Sequence, residues 1–266
     1  MADRNTGSNR PKDRKKNNVI AARIASSRPA GFYILLGVLA LAGVAVLTYV
    51  VTRPKQASQA DIAALTDTTN AGPAQGYTYG KPDAPVKLVE FGDFECPQCA
   101  RFATLTEPDL RKRLVGSGEV MFTFYDFPLY QMHRNTEAAS NAAACADEQG
   151  KFWEMHDRLF DGQDQWNGEA TDNPGKIFAQ FAAQLGLKVD AWQKCFDARK
   201  YQKRINANLA EGLRLGINAT PSFMIGNKLH AGGMAYDELK VFVDSARAAT
   251  PASSASSTSP VTAPKQ

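Results

Sequence analysis

The sequence predicts an α/β domain that carries a helical insertion and is preceded by one membrane-spanning helix. Three observations carry this expectation. An uncharged apolar run, GFYILLGVLALAGVAVLTYVV, fills Gly31 to Val51. Two short, mostly apolar runs, VKLVEF (Val86 to Phe91) and EVMFTFYDF (Glu119 to Phe127), flank a helical stretch. A second pair of strand-like runs, PSFMIG and KLHAG, returns only after a long helical region.

Residues 1–30 form a basic leader, with eight Lys/Arg against Asp3 and Asp13. The formal charge of the 266-residue chain is +4, so that surplus of six leaves −2 for everything after it. A nearly neutral body without a basic stripe gives no support to nucleic-acid binding. Residues 31–51 are long enough to cross a hydrocarbon core as a helix. Lys and Arg crowd the N-terminal side of the run, so the positive-inside rule places the N-terminus in the cytoplasm and the rest on the extracytoplasmic, periplasmic or extracellular side. Phe32, Tyr33 and Tyr49 stand near the ends of the run, where interfacial aromatics belong. The competing reading is a cleaved signal peptide with SQA (Ser58 to Ala60) as its small-residue site. A leader and an apolar run this long exceed signal-peptide dimensions and favour a signal-anchor, and either reading exports the body. Residues 52–76 read as a flexible tether and residues 250–266, rich in Ser, Thr, Pro and Ala, as a disordered tail. One folded domain remains, 77–249.

Within it, VKLVEF suits a central strand, bounded by KPDAP and Gly92. Helical character follows from Pro97 to Leu114, then the second strand. The insertion occupies about 133–216, with its clearest helical period at Phe178, Phe181, Ala182 and Leu185. Gly226-Asn227 turns the final hairpin, and a last helix runs from about Tyr236 to Ala248.

Four cysteines are present, and two of them, Cys96 and Cys99, form CPQC directly after the first strand. At i and i+3 on the first helical turn they share a face and lie within disulfide reach. The helix N-terminus favours a thiolate there, which makes Cys96 the nucleophile and Cys99 the resolving thiol. Pro97 at the first helical position fixes φ without sacrificing a needed donor, and Gln98 completes the active-site loop. Zinc would need two more ligands from the scattered His133, His156 and His230, and covalent haem attachment would need His where Ala100 stands. A purely structural disulfide remains open, although so short a loop removes little unfolded-chain entropy.

APVKLVEFGDFECPQCARF, followed far downstream by GINATPSFMIGNKLHAG, resembles the DsbA-like branch of the thioredoxin-fold thiol-disulfide oxidoreductases, including membrane-anchored bacterial ones. FPLYQMHRNTEAASNAAACADEQGKFWEMHDRLF resembles the start of that branch's insertion. The resemblance implies a thioredoxin fold, a cis bond before Pro221, and Thr220 and Pro221 facing the CPQC as the site that pairs with an extended substrate. It implies that Glu90, six residues before Cys96 and in register with Leu88, is a partly buried acid that exchanges a proton with Cys99. It implies a dithiol oxidase that introduces disulfides into unfolded or reduced exported proteins and is reoxidised by a quinone-linked membrane protein. No cofactor and no metal are expected, and the chain is expected to be monomeric. An isomerase or reductase of the same fold, or a non-enzymatic chaperone or metal-binding module, stays open.

Two departures bear on direction. Gln98 stands where strong oxidases of the branch carry His, and Thr220 stands before the proline where they carry Val. Asp93 and Glu95 would oppose a thiolate if their side chains approached Cys96. Cys145 and Cys195, both in the insertion, are expected to form a structural disulfide in an oxidising compartment, with two separately buried thiols as the alternative. His133 is expected to open a helix and His156 to pack with Trp153 and Phe160. Phe94, Phe102 and Phe127 are expected in the core or in an apolar rim.

Overall fold

The computed structural model describes residues 30–52 and 72–249. The leader, most of the tether and the tail, as read from sequence, lie outside the described residues. The first unit contributes one helix, α1 (Ala30–Thr52), a single-residue extension of the apolar run at each end. It is long and apolar enough to cross a membrane by length and composition.

The second unit is built on a five-stranded sheet of order β1-β3-β2-β4-β5. The strands are β1 (Tyr77–Tyr79), β2 (Val86–Gly92), β3 (Val120–Asp126), β4 (Ser222–Ile225) and β5 (Lys228–Ala231). β2 pairs parallel with β3 and antiparallel with β4, so it is central and covered on both faces, which its run of apolar residues anticipates. β1 escaped the sequence reading because three residues carry no period. It pairs antiparallel with β3.

Two strand faces receive different partners. Val86 and Leu88 of β2, Phe122 of β3 and Phe223 of β4 pack with Phe102 of α2 (Pro97–Leu105) and with Leu239 and Val243 of the last helix, Tyr236–Ala249. Phe91, of opposite parity, packs with Phe127, Leu209 and Ile217. Glu90 shares its face with Leu88 and is therefore aimed at α2.

The helix expected over Pro97 to Leu114 is interrupted. α2 ends at Leu105; a single turn, α3 (Glu107–Asp109), and a π-helical turn, Leu110–Val115, follow. Pro108 has no N–H to give the carbonyl four residues back, so the α ladder cannot run through it. The Thr106 hydroxyl instead donates to the Met234 carbonyl at 2.9 Å.

The single helical stretch read as an insertion resolves into six helices: α4 (Thr136–Asp147), α5 (Phe152–Asp161), α6 (Gln163–Trp166), α7 (Gly175–Gln184), α8 (Val189–Asp197) and α9 (Gln202–Arg214). The last helix of the fold is thus α10. Gly186 (φ +72°) and Gly216 (φ +79°) end α7 and α9 in the left-handed conformation that glycine adopts without steric cost. Trp166, Phe178, Phe181 and Trp192 are fully buried among them. Cys145 of α4 and Cys195 of α8 are bonded in this core, with Cα atoms 5.8 Å apart.

His133 does not open a helix. It lies in the loop before α4, held by the bond from its N–H to the Leu129 carbonyl (3.0 Å). The C-terminal end of the segment expected as a tether is held to the domain: Gln75 N–H donates to Asn208 Oδ1 at 2.8 Å, and Arg204 donates to the carbonyls of Gln75 (2.8 Å) and Gly76 (3.0 Å) while lying 3.7 Å over the Tyr77 ring.

Candidate active site

The β2-to-α2 loop brings the site together. Cys96 is the N-cap of α2, with extended backbone (φ −73°, ψ 123°), and Pro97 follows at the first helical position. Cys96 is 6% exposed and Cys99 fully buried, while Pro97 and Gln98 face outward. The two thiols are unbonded to each other. Across from them the Thr220–Pro221 peptide is cis, and the Cys96 thiol reaches the Thr220 carbonyl at 3.4 Å.

Burial and hydrogen bonding split the two sulfurs. The Cys99 thiol, then Thr220 and the N–H groups of Gln98 and Cys99, act against burial to pull Cys96 down to about 6. Burial, followed by the charge and hydrogen bond of Cys96, pushes Cys99 well above the ordinary thiol range. Thr220 can serve either form of Cys96: its carbonyl accepts from a thiol, and its otherwise unpartnered buried hydroxyl is available to a thiolate.

Glu90 is fully rather than partly buried, because β2 is central and its acid-bearing face is sealed by α2 and its neighbours. Neither carboxyl oxygen has a hydrogen-bond partner. Burial, then the nearby Glu107 carboxylate, pushes Glu90 well above the carboxylate range. Gly92 leaves room here: a Cβ would run into the Phe124 ring and stand 3.2 Å from Glu90 Oε1.

Asp93 and Glu95 do not crowd the Cys96 sulfur with bare charge. Asp93 Oδ1 accepts from the Glu95 N–H (2.8 Å) and the Thr136 hydroxyl (2.6 Å), and Oδ2 from the Leu129 N–H (2.8 Å) and His133 Nδ1 (2.8 Å). Glu95 accepts from the N–H groups of Asn135 (2.6 Å) and Gly168 (2.5 Å). Gln163 of α6 donates to the carbonyls of Phe94 (2.8 Å) and Cys96 (3.2 Å). The insertion therefore grips the CPQC loop through both flanking acids and two carbonyls.

A second cluster, with Glu107 and His156 buried and Asp157 exposed, lies near Glu90. Glu107, His156 and Asp157 bring ligand-type atoms within 4.8 Å of one another. Arg111 already answers their charge, pairing with Glu107 and donating to both Asp157 oxygens at 2.9 Å. His156 packs in an aromatic cage, with ring centroids 4.9 Å from Phe160, 5.1 Å from Phe124 and 5.2 Å from Trp153. Phe94, Phe102 and Phe127 are core, each at most 2% exposed.

Sequence reasoning missed Glu107, Arg111, Gln163 and the placement of His133. A faint signal existed for the first two, which stand at i and i+4 as an acid followed by a base. The others converge from separate segments.

Comparison with known proteins gives consistent results. The family model described as Thioredoxin matches residues 74–245. The chain is 32% identical over 174 residues to Na(+)/H(+) antiporter NhaA 3 of Salinispora tropica, covering 65% of this chain and 25% of that protein. It thus spans about a quarter of the length of such antiporter relatives. It is 26% identical over 165 residues to Disulfide bond formation protein D of Bacillus subtilis, covering 62% of this chain and 74% of the relative. The crystal structure of alpha-DsbA1 of Wolbachia pipientis superposes with a TM-score of 0.59 at 22% identity, over 65% of this chain and 92% of that one, and so shares the fold.

Proposed function

The chain belongs to the thioredoxin family, with the fold of the DsbA proteins, and from that premise we propose that it is an extracytoplasmic thiol-disulfide oxidoreductase that works mainly as a dithiol oxidase on exported proteins. The observation that carries the reading is the asymmetric placement of the two thiols: Cys96 caps α2 and meets the Thr220 carbonyl at 3.4 Å beside the cis Thr220–Pro221 bond, while Cys99 is fully buried one turn deeper.

In the oxidising direction the Cys96–Cys99 disulfide is the electron acceptor. A substrate thiolate attacks Cys96 Sγ; the new sulfur–sulfur bond forms as the Cys96–Cys99 bond breaks, and Cys99 leaves as a thiolate that takes up a proton in its buried site. Glu90, whose affinity for a proton burial raises, is the acid whose charge acts on Cys99 and the candidate to exchange that proton. A second substrate thiolate then attacks the substrate sulfur of the mixed disulfide. The substrate disulfide closes, Cys96 departs as a stabilised thiolate, and two electrons have passed to the enzyme. Thr220 and Pro221 offer the backbone against which an extended substrate lies.

The pH sign follows. A thiol depressed in the folded dithiol form stabilises that form above the unfolded thiol value, and the contribution is lost as pH falls through about 6. A stabilised dithiol is a better product of reduction, so the pair is more oxidising at neutral pH than an ordinary dithiol. Gln98 is exposed and neutral, which argues for a weaker oxidant than one whose dipeptide carries charge.

In this reading α1 anchors the domain on the extracytoplasmic side, consistent with the basic leader, and a membrane protein reoxidises the pair. The deciding experiment is a glutathione redox titration of the full chain in detergent, with alkylation scored peptide by peptide. A Cys96–Cys99 potential of about −120 mV supports the oxidase; one of about −270 mV makes the protein a reductase.

A further inference from the structure

We propose that His133, delivered by the loop before α4 and held by Asp93, is the positive charge that stabilises the Cys96 thiolate from outside the CPQC motif. The proposal rests on the reading of Cys96 as nucleophile and adds a residue to that site. Gln98, inside the motif, is exposed and carries no charge.

Three observations converge on His133. Its ring is 14% exposed and faces the fully buried Asp93 across a 2.8 Å contact from Nδ1 to Oδ2. A carboxylate only accepts, so Nδ1 bears the hydrogen and the ring is fixed in one orientation. Asp93 is itself locked to the motif by its backbone: its carbonyl accepts from the Cys96 N–H at 3.0 Å, and its N–H points at Cys99 Sγ at 3.5 Å. His133 and Pro97 line one cleft of about 620 Å³ beside the motif. Asp93 thus ties the imidazole and both cysteines into one rigid unit.

The charges around the ring are accounted for. Asp93 bonds the ring, the charges of Glu95 and Cys96 act on it through space, and Glu95 and Glu169 line the same cleft. Arg134, its neighbour in sequence, is turned to Asp172 (2.5 Å) and the Gly168 carbonyl. Burial acts against protonating His133, but the bond and charge of Asp93, then Glu95 and Cys96, raise it above the ordinary imidazole value. Asp93 divides its oxygens among four donors, which fixes the orientation of the ring it holds.

Reciprocity supplies the test. If ionising Cys96 raises His133, protonating His133 lowers Cys96 by the same amount. The full chain in detergent, labelled at its three histidines, is titrated by NMR as dithiol and as disulfide, with His156 and His230 as internal controls. His133 is expected to titrate higher in the dithiol form, because oxidation removes the thiolate. In parallel, thiolate absorbance is followed in the wild type, His133→Gln and His133→Lys. The Gln variant is expected to titrate Cys96 upward by the same interval, and Lys to restore the lower value. His133 titrating identically in both redox states overturns the proposal without any variant having to fold. A chain that fails to exchange with glutathione but still shows the coupling would instead overturn the proposed function alone.

Discussion

Cys96 and Cys99 stand three residues apart at the start of α2 and remain two thiols, whereas Cys145 and Cys195, 50 residues apart, are bonded inside the insertion. Both pairs are buried. The surroundings of the two pairs differ as well. The first pair meets a helix N-terminus, a carbonyl and hydroxyl from Thr220, and the acid Glu90; the second sits among alanines of α4 and the rings of Trp192 and Phe196. A polar frame that treats two thiols unequally makes a reactive pair, and a mostly apolar one, here with Asn141 as the polar side chain 3.9 Å from Cys145 Sγ, makes a staple.

The largest test of this contrast is Cys96→Ser, which is expected to lower glutathione and substrate exchange by at least about 10³-fold while peptide mapping still finds Cys145 bonded to Cys195. Retained exchange would place the reactive sulfur elsewhere. Next in size, replacing Cys145 and Cys195 together by Ala is expected to remove about 4 kcal/mol of stability in the chain-entropy model, read as a lower urea midpoint. The Cys96 titration should not move; a shift would show that the staple also shapes the reactive pair.

Glu90→Gln separates chemistry from stability. Loss of the acid is expected to slow the step in which Cys99 departs by about 10²-fold, measured by stopped-flow reduction of the disulfide form. The same variant should be more stable than wild type at alkaline pH. Glu90 is raised in the fold, so wild-type stability declines as pH climbs through that raised value, and Gln abolishes the slope. Smallest, Thr220→Val is expected to move the Cys96 titration upward by removing a hydroxyl whose bond to a thiolate is worth about 1.5 to 3 kcal/mol at most; an unmoved titration would leave the helix N-terminus, Cys99 and His133 as its stabilisers.

What was legible in the sequence is what is local. The apolar run of α1, the buried character of β2, the Gly226-Asn227 turn and the i, i+3 cysteines each follow from a period or spacing within one segment. The break in the helix after α2 is also local, since Pro108 cannot donate to the α ladder. The frame of the site was not legible, since Glu107, His133, Gln163 and Gly168 reach it from separate segments whose meeting depends on how the insertion folds back. Asp93 and Glu95 show the cost of that. Read locally they are charges beside a thiolate; in the fold they are the hooks by which the insertion holds the loop.

Arg204 has a mechanical consequence. Its guanidinium clasps the carbonyls of Gln75 and Gly76 and covers Tyr77, so tension applied at residue 72 would load α9 before it reached the sheet. Yielding there would free the clasp and the three residues of β1, lengthening the chain by a few tens of ångströms at about 3.5 Å per residue. Because β2 lies between β3 and β4, the thiols would ride out that first rupture in place. In a force trace the clasp would act as a fuse, giving way early while the catalytic half of the sheet stays whole.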